Sequence, residues 1–102
     1  MSLDITILDE NGTPLASAPL GVDAHWELLE LARARQLPRI AQLYDYYEDV
    51  DYAPEEVGQL LGEVAKVRES SPSPRLLQEL EGIERLLKEA VCQHRAVSAI
   101  AD

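Results

Sequence analysis

The feature that most restricts the fold is an apolar run late in the chain: Leu76, Leu77, Leu80, Ile83, Leu86, Leu87, Ala90 and Val91. These residues recur every three to four positions, which places them along one side of an α-helix. Ser73 followed by Pro74 reads as an N-cap and a first helical residue, so the helix is predicted from about Pro74 to His94. A helix of about 20 residues is about 30 Å long, and its stripe has to be covered by other elements. The chain contains no Phe and a single Trp. Its core must therefore be built from Leu, Val, Ile and Ala, with Trp26 and some tyrosines as the bulky exceptions.

The cover comes from both ends of the sequence. Leu3 to Leu8 alternates, with Leu3, Ile5 and Ile7 on one side and Asp4 and Thr6 on the other, as a half-buried strand does. Asn11-Gly12 is a strong turn signal. Leu15 to Leu20 reads as the return strand, placed at a sheet edge because Pro14 and Pro19 cannot donate ladder hydrogen bonds. Ala96 to Ala101 is short, apolar and β-tolerant, and is predicted to return to the hairpin as a further strand.

Between these ends, Asp23 is a candidate N-cap for a helix over Ala24–Gln36, with Trp26, Leu28, Leu29, Leu31 and Ala32 on a broad apolar face. Pro38 suits the first turn of a second helix running to about Tyr47, with Ile40, Leu43, Tyr44 and Tyr47 on one face. Glu48–Ala53 is read as a loop. Pro54 opens a third helix whose core stripe is Val57, Leu60, Leu61 and Val64, and Gly58 and Gly62 are read as local packing positions on it. The linker from Glu69 to Pro74 is too short to separate two units. The 102 residues thus read as a single α+β domain: an N-terminal β-hairpin plus a C-terminal strand in a small antiparallel sheet, packed on about four helices.

Charge narrows the partners. Nineteen acids against nine bases give a formal net charge of −10. Phosphate contacts need Lys and Arg, so nucleic acid is disfavoured, as is an anionic membrane surface. A cationic protein partner is favoured instead. The sole cysteine, Cys92, rules out an internal disulfide and is read as a buried small side chain on the last helix. Met1-Ser2-Leu3-Asp4 shows no signal-peptide pattern, and no segment approaches a membrane span, so a cytoplasmic protein is expected.

All four tyrosines fall in Tyr44-Asp45-Tyr46-Tyr47-Glu48-Asp49-Val50-Asp51-Tyr52, and no basic residue occurs between Arg39 and Lys66. Tyrosine gives a large, stiff contact area with a hydroxyl, and neighbouring carboxylates steer a basic partner. Tyr44 and Tyr47 are expected to fill the core. Tyr46, Glu48, Asp49, Asp51, Tyr52, Glu55 and Glu56 are the candidate partner contacts. The acids do not fit a calcium loop: counting from Asp49, Ala53 and Pro54 fail positions five and six, and counting from Asp45, Tyr47 and Val50 fail. His25, His94 and Cys92 lack zinc spacing. His25 is read as a structural histidine, with acid–base use alongside Asp23 as the lesser reading. His94 suits a helix C-terminus. No nucleophile, phosphate-loop or dinucleotide pattern is present, so neither catalysis nor a cofactor or metal is expected.

Leu3-Asp4-Ile5, Gly21-Val22-Asp23-x-His25, Tyr46-Tyr47-Glu48-Asp49 and Ala99-Ile100-Ala101-Asp102 span most of the chain. With these motifs the sequence resembles small bacterial immunity proteins of contact-dependent or secreted toxin systems. The resemblance implies a tight, non-catalytic inhibitor of a cognate toxin domain, acting in the cytoplasm, and the acidity suits a basic toxin. The alternative is a regulatory or structural subunit that docks through its long C-terminal helix.

Overall fold

A computed structural model describes residues 3–101. Met1, Ser2 and Asp102, the last of which closes the final motif, lie outside the described residues. In chain order the elements are β1 (Leu3–Leu8), β2 (Pro14–Leu20), α1 (Val22–Arg35), α2 (Pro38–Ala41), β3 (Val50–Tyr52), α3 (Pro54–Glu69), α4 (Pro74–Gln93) and β4 (Val97–Ala101). The α+β class expected from the sequence holds.

The four strands form one antiparallel sheet in the order β2-β1-β4-β3. At the hairpin turn the Asp9 carboxylate accepts the backbone N–H of Asn11 and of Thr13, at 2.9 and 2.8 Å. Gly12 takes a φ of 79°, a region that side chains rarely adopt. Leu3 pairs with both Leu20 and Ala101, and Ile5 with both Ala18 and Ala99, so the strands nearest the two chain ends lie side by side in the sheet centre. The prolines of β2 occupy one edge, as expected. The other edge is β3, which the sequence reading made a loop. Its three residues are too few to show a period. Val50 and Tyr52 face the core and Asp51 faces out.

The helices cover one face of the sheet. α4 is the longest and buries Leu76, Leu80, Ile83, Leu86, Leu87 and Ala90 against α3, α1 and the strands. Its stripe is thus consumed within the chain, with Val91 left exposed. The opposite sheet face carries Asp4, Thr6, Leu15, Ser17 and Ile100 around an open groove of about 350 Å³. Cys92 is exposed, not buried, because the inward positions of α4 are Leu87 and Ala90 and position 92 lies across from them. α1 starts at Val22 with Gly21 as its N-cap residue. Asp23 falls in the first turn instead, paired with Arg75 at 2.7 Å.

Three helices lack a capping side chain at their own N-cap, which is Gly21, Leu37 or Ala53. Their orphan N–H groups need acceptors from elsewhere. Glu79 of α4 accepts the N–H of Gly21 at 3.1 Å. In return, Glu27 of α1 accepts the backbone N–H of Ser73 at 2.7 Å and its hydroxyl at 2.5 Å. Ser73 Oγ in turn accepts the N–H of Leu76, capping α4 as the sequence predicts. A Cβ at Gly21 would lie 3.3 Å from the Glu79 oxygen, so the side chain's absence permits the close approach. The buried Glu63 of α3 caps α2, accepting the N–H of Arg39 and of Ile40 at 3.0 Å each. Glu56 reaches back to the N–H of Ala53 at 3.1 Å.

Gly58 and Gly62 admit no close helix approach, since a Cβ at either would meet nothing within 4 Å. Gly58→Ala and Gly62→Ala are each expected to raise stability by about 0.5–1 kcal/mol, read as a higher urea midpoint. Glu27→Ala is expected to lower it by about 1–3 kcal/mol, because the Ser73 N–H loses its acceptor. Equal midpoints for Glu27→Ala and wild type would show that the clamp adds nothing.

Candidate protein-binding surface

The buried stripe of α1 is Ala24, His25, Leu28, Leu29 and Ala32. His25 is 0% exposed. Its Nε2 lies 2.5 Å from the carbonyl oxygen of Leu43. A carbonyl only accepts, so Nε2 carries the proton and donates it. Nδ1 has no hydrogen-bond partner. One imidazole thereby fastens α1 to the irregular segment after α2.

His25 also sits within a row of four rings. Its centroid is 5.1 Å from that of Trp26 and 4.8 Å from that of Tyr46, and Tyr46 lies 5.7 Å from Tyr47. All three contacts are edge-to-face, an arrangement that aromatic quadrupoles favour. The Tyr46 hydroxyl donates to the carbonyl of Leu20 at 3.1 Å. The inner two rings are buried, and the outer two are exposed: Trp26 at 53% and Tyr47 at 66%. Tyr44, from the same segment, is also 66% exposed.

This placement reverses the expected roles of the tyrosines. Tyr46 and Tyr52, expected as partner contacts, are 4% and 1% exposed, whereas Tyr44 and Tyr47, expected in the core, face out. The cause is the length of α2. It ends at Ala41 rather than near Tyr47. Continued helix would bring Asp45 beside Glu48 and Asp49, where like charges repel. Asp45 instead accepts the N–H of Tyr47 at 2.9 Å, a local turn that competes with helix. Helical spacing therefore fails after residue 41. Tyr52 is turned inward by the pleat of β3, and its hydroxyl donates to the carbonyl of Arg39 at 2.7 Å. Burial pushes the Tyr52 phenol far above the usual tyrosine range, with the Glu63 and Glu56 carboxylates adding to the shift. Burial raises that of Tyr46 as well.

The candidate acids divide into two sets. Asp49 accepts the N–H of Ala101 at 2.8 Å, Asp51 accepts the Ser98 hydroxyl at 2.7 Å, and Glu56 caps α3. Their positions follow from the sheet edge and the helix start. Glu48 and Glu55 are exposed, and neither carboxylate has a hydrogen-bond or ion-pair partner among the described residues. No ion pair among the described residues involves an acid between positions 44 and 56. The structure therefore leaves Glu48 exposed next to Tyr47 in sequence, ties Asp49 and Asp51 to β4, and withdraws Tyr46 and Tyr52.

Trp26 is the residue the sequence reading misplaced most. The stripe 25, 28, 29, 32 is already complete at helical spacing without it, and that was the available signal. His25 and Asp23 do not converge, since His25 bonds to Leu43 inside and Asp23 pairs with Arg75 outside. Among the described residues no group of three or more His, Cys, Asp or Glu is placed to hold a metal ion. The enclosed void among Ile5, Leu28, Tyr52 and Leu80 is about 20 Å³ and wholly apolar. No helix of the described residues is long and apolar enough to cross a membrane. Comparison with protein-family models, with curated proteins and with solved structures finds no match.

The tyrosines give a pH signature. The unfolded-state phenol ionises near pH 10, while folded Tyr52 stays protonated there. Stability is therefore intact below about pH 10 and falls as pH rises toward the folded-state value, by about 1.4 kcal/mol per pH unit for each such group. Tyr52→Phe is expected to cost about 1 kcal/mol at neutral pH through the lost bond to Arg39. It should also flatten the alkaline fall. Urea titrations between pH 8 and pH 11 measure both, and an unchanged alkaline slope would contradict the assignment.

Proposed function

We propose that the protein is an immunity-type inhibitor that binds and neutralises a basic toxin domain, acting in the cytoplasm. The surface it uses is formed by Trp26, Tyr44 and Tyr47 together with Glu48 and the neighbouring Asp49 and Asp51. The observation that carries this reading is the ring row: two exposed aromatic side chains braced edge-on by two buried ones. Braced aromatics lose little freedom on binding, which is why such residues dominate interface energetics. The segment from Ile40 to Ala65 contains no Lys or Arg, so the field beside the rings attracts a cationic partner. Asp49 and Asp51 keep one carboxylate oxygen for the fold and direct the remaining charge outward. A docking role for the long helix has less support, because its apolar stripe lies inside the chain's own core.

The test is rescue of growth on co-expression with candidate basic toxin domains, followed by binding kinetics with the domain that is neutralised. Trp26→Ala and Tyr47→Ala are each expected to weaken binding by about ten-fold or more, chiefly through faster dissociation. Glu48→Lys is expected to slow association and reduce its salt sensitivity. Glu48 is the clean probe, since reversing Asp49 or Asp51 also removes a bond to β4. If all three variants bind a verified toxin as wild type does, this surface is not the interface. If no basic toxin domain is neutralised, the immunity reading fails.

A further inference from the structure

The strand order leaves β2 and β3 at the sheet edges, and the hydrogen-bond register decides what each edge offers. The N–H of Leu8 donates to the carbonyl of Ala96 at 3.0 Å, in the register that joins β1 to β4. Bonded pairs alternate along an antiparallel ladder, so Thr6–Ser98 and Asp4–Ile100 are the bonded pairs there. The backbone groups of Val97 and Ala99 then point the other way, to Tyr52 and Val50 of β3. The bond from the Ala101 N–H to Asp49, which directly precedes β3, follows the same phase. Asp51 is out of phase with its two neighbours, so its own N–H and C=O point away from β4, to the open edge. On β2 the same register turns Ser17 and Pro19 outward. Pro19 has no N–H, and the ladder shifts between Ile7 and Leu8. The β3 edge is therefore the better fitted to receive a strand.

Charge decides which strand fits. Asp51 is exposed, Glu48 and Asp49 precede it and Glu55 follows it, all exposed, and no Lys or Arg lies between Arg39 and Lys66. A second copy paired through Asp51 would set that carboxylate opposite itself, and like charges directly opposite destabilise a strand pair. An opposite charge at that position stabilises it. In an incoming strand the residue opposite Asp51 shares its face, while the residues on either side turn toward Val50 and Tyr52. Val50 is only half-buried, so an apolar residue there would cover it. We propose that the β3 edge is a strand-addition site: a basic partner lays an extended segment along β3, hydrogen-bonded to the Asp51 backbone, with a Lys or Arg opposite the Asp51 side chain. This rests on the docking reading above and names the form of the partner's contacting segment.

Amide exchange of the free protein, followed by NMR, reads the edge directly. The Asp51 amide is expected to exchange faster than those of Val50 and Tyr52 on either side, and a protected Asp51 amide overturns the proposal. The whole protein is then titrated with an end-blocked Val-Lys-Val-Lys-Val peptide and with its glutamate counterpart. The lysine peptide is expected to bind saturably and to slow exchange at Asp51, and the glutamate peptide to leave it unchanged. Asp51→Ala keeps the outward N–H and Asp51→Pro removes it, and both lose the bond to Ser98, so their difference isolates the backbone contact. Asp51→Pro is expected to bind the lysine peptide about three- to ten-fold more weakly than Asp51→Ala. Should Asp51→Pro fail to fold, the wild-type exchange and the two peptides decide. No binding, equal binding of the two peptides, or equal binding by the two folded variants overturns the proposal. A basic toxin domain neutralised equally well by both variants would keep the immunity reading and remove strand addition. Lysine-peptide binding at Asp51 with no toxin domain neutralised would keep the edge site and remove the immunity reading.

Discussion

Two glutamates set the helical layer on which everything else depends. Glu27 of α1 binds the N-cap residue of α4, and Glu79 of α4 binds the N-cap residue of α1. Each supplies an acceptor where the partner helix begins with an unsatisfied donor, and a carboxylate–amide bond is among the stronger hydrogen bonds. The pair fixes how α1 lies against α4. That in turn fixes His25, whose bond to Leu43 holds the segment carrying Tyr44 and Tyr47. Removing an acceptor from such a site costs more than the bond is worth, because the donor left behind stays partly buried.

The charge of −10 takes on a different meaning in this light. Asp9, Glu27, Asp45, Asp49, Asp51, Glu56, Glu63 and Glu79 all accept hydrogen bonds from the protein's own backbone or hydroxyls. Much of the acidity is therefore structural, and Glu79, Glu63 and Glu56 stand in for the side-chain caps that α1, α2 and α3 lack at their own N-cap residues. The electrostatic field available to a partner comes from the remainder, which includes the exposed Glu48, next to Tyr47 in sequence. Net charge alone overstates how much of the surface is committed to docking.

The sequence revealed elements wherever a period ran long enough. The twenty residues of α4, the alternation of β1 and the Asn11-Gly12 turn were all legible. So was β4, and with it the pairing of the two chain ends. The one-turn α2 and the three-residue β3 were not, since neither contains a full repeat of its own pattern. Tyr44, Tyr46 and Tyr47 lie between these two short elements, so their inside and outside were assigned on a helical period that the chain abandons at Ala41. The cross-helix caps were invisible for another reason. Glu27 and Glu79 look like ordinary surface acids until the fold brings them to Ser73 and Gly21.

The side-by-side placement of β1 and β4 has a consequence for synthesis. Leu3 is synthesised long before its ladder partner Ala101. At about 5–20 residues per second, the interval is on the order of 5–20 s. Throughout it the early hairpin has one central strand open along its inner edge, and β3 has no neighbour at all, because it pairs only with β4. The sheet is thus completed by its last-made strand, in one late step that closes the centre and the far edge together. A nascent chain of this topology depends on its surroundings until then, and chaperones that shield strand edges have their window there.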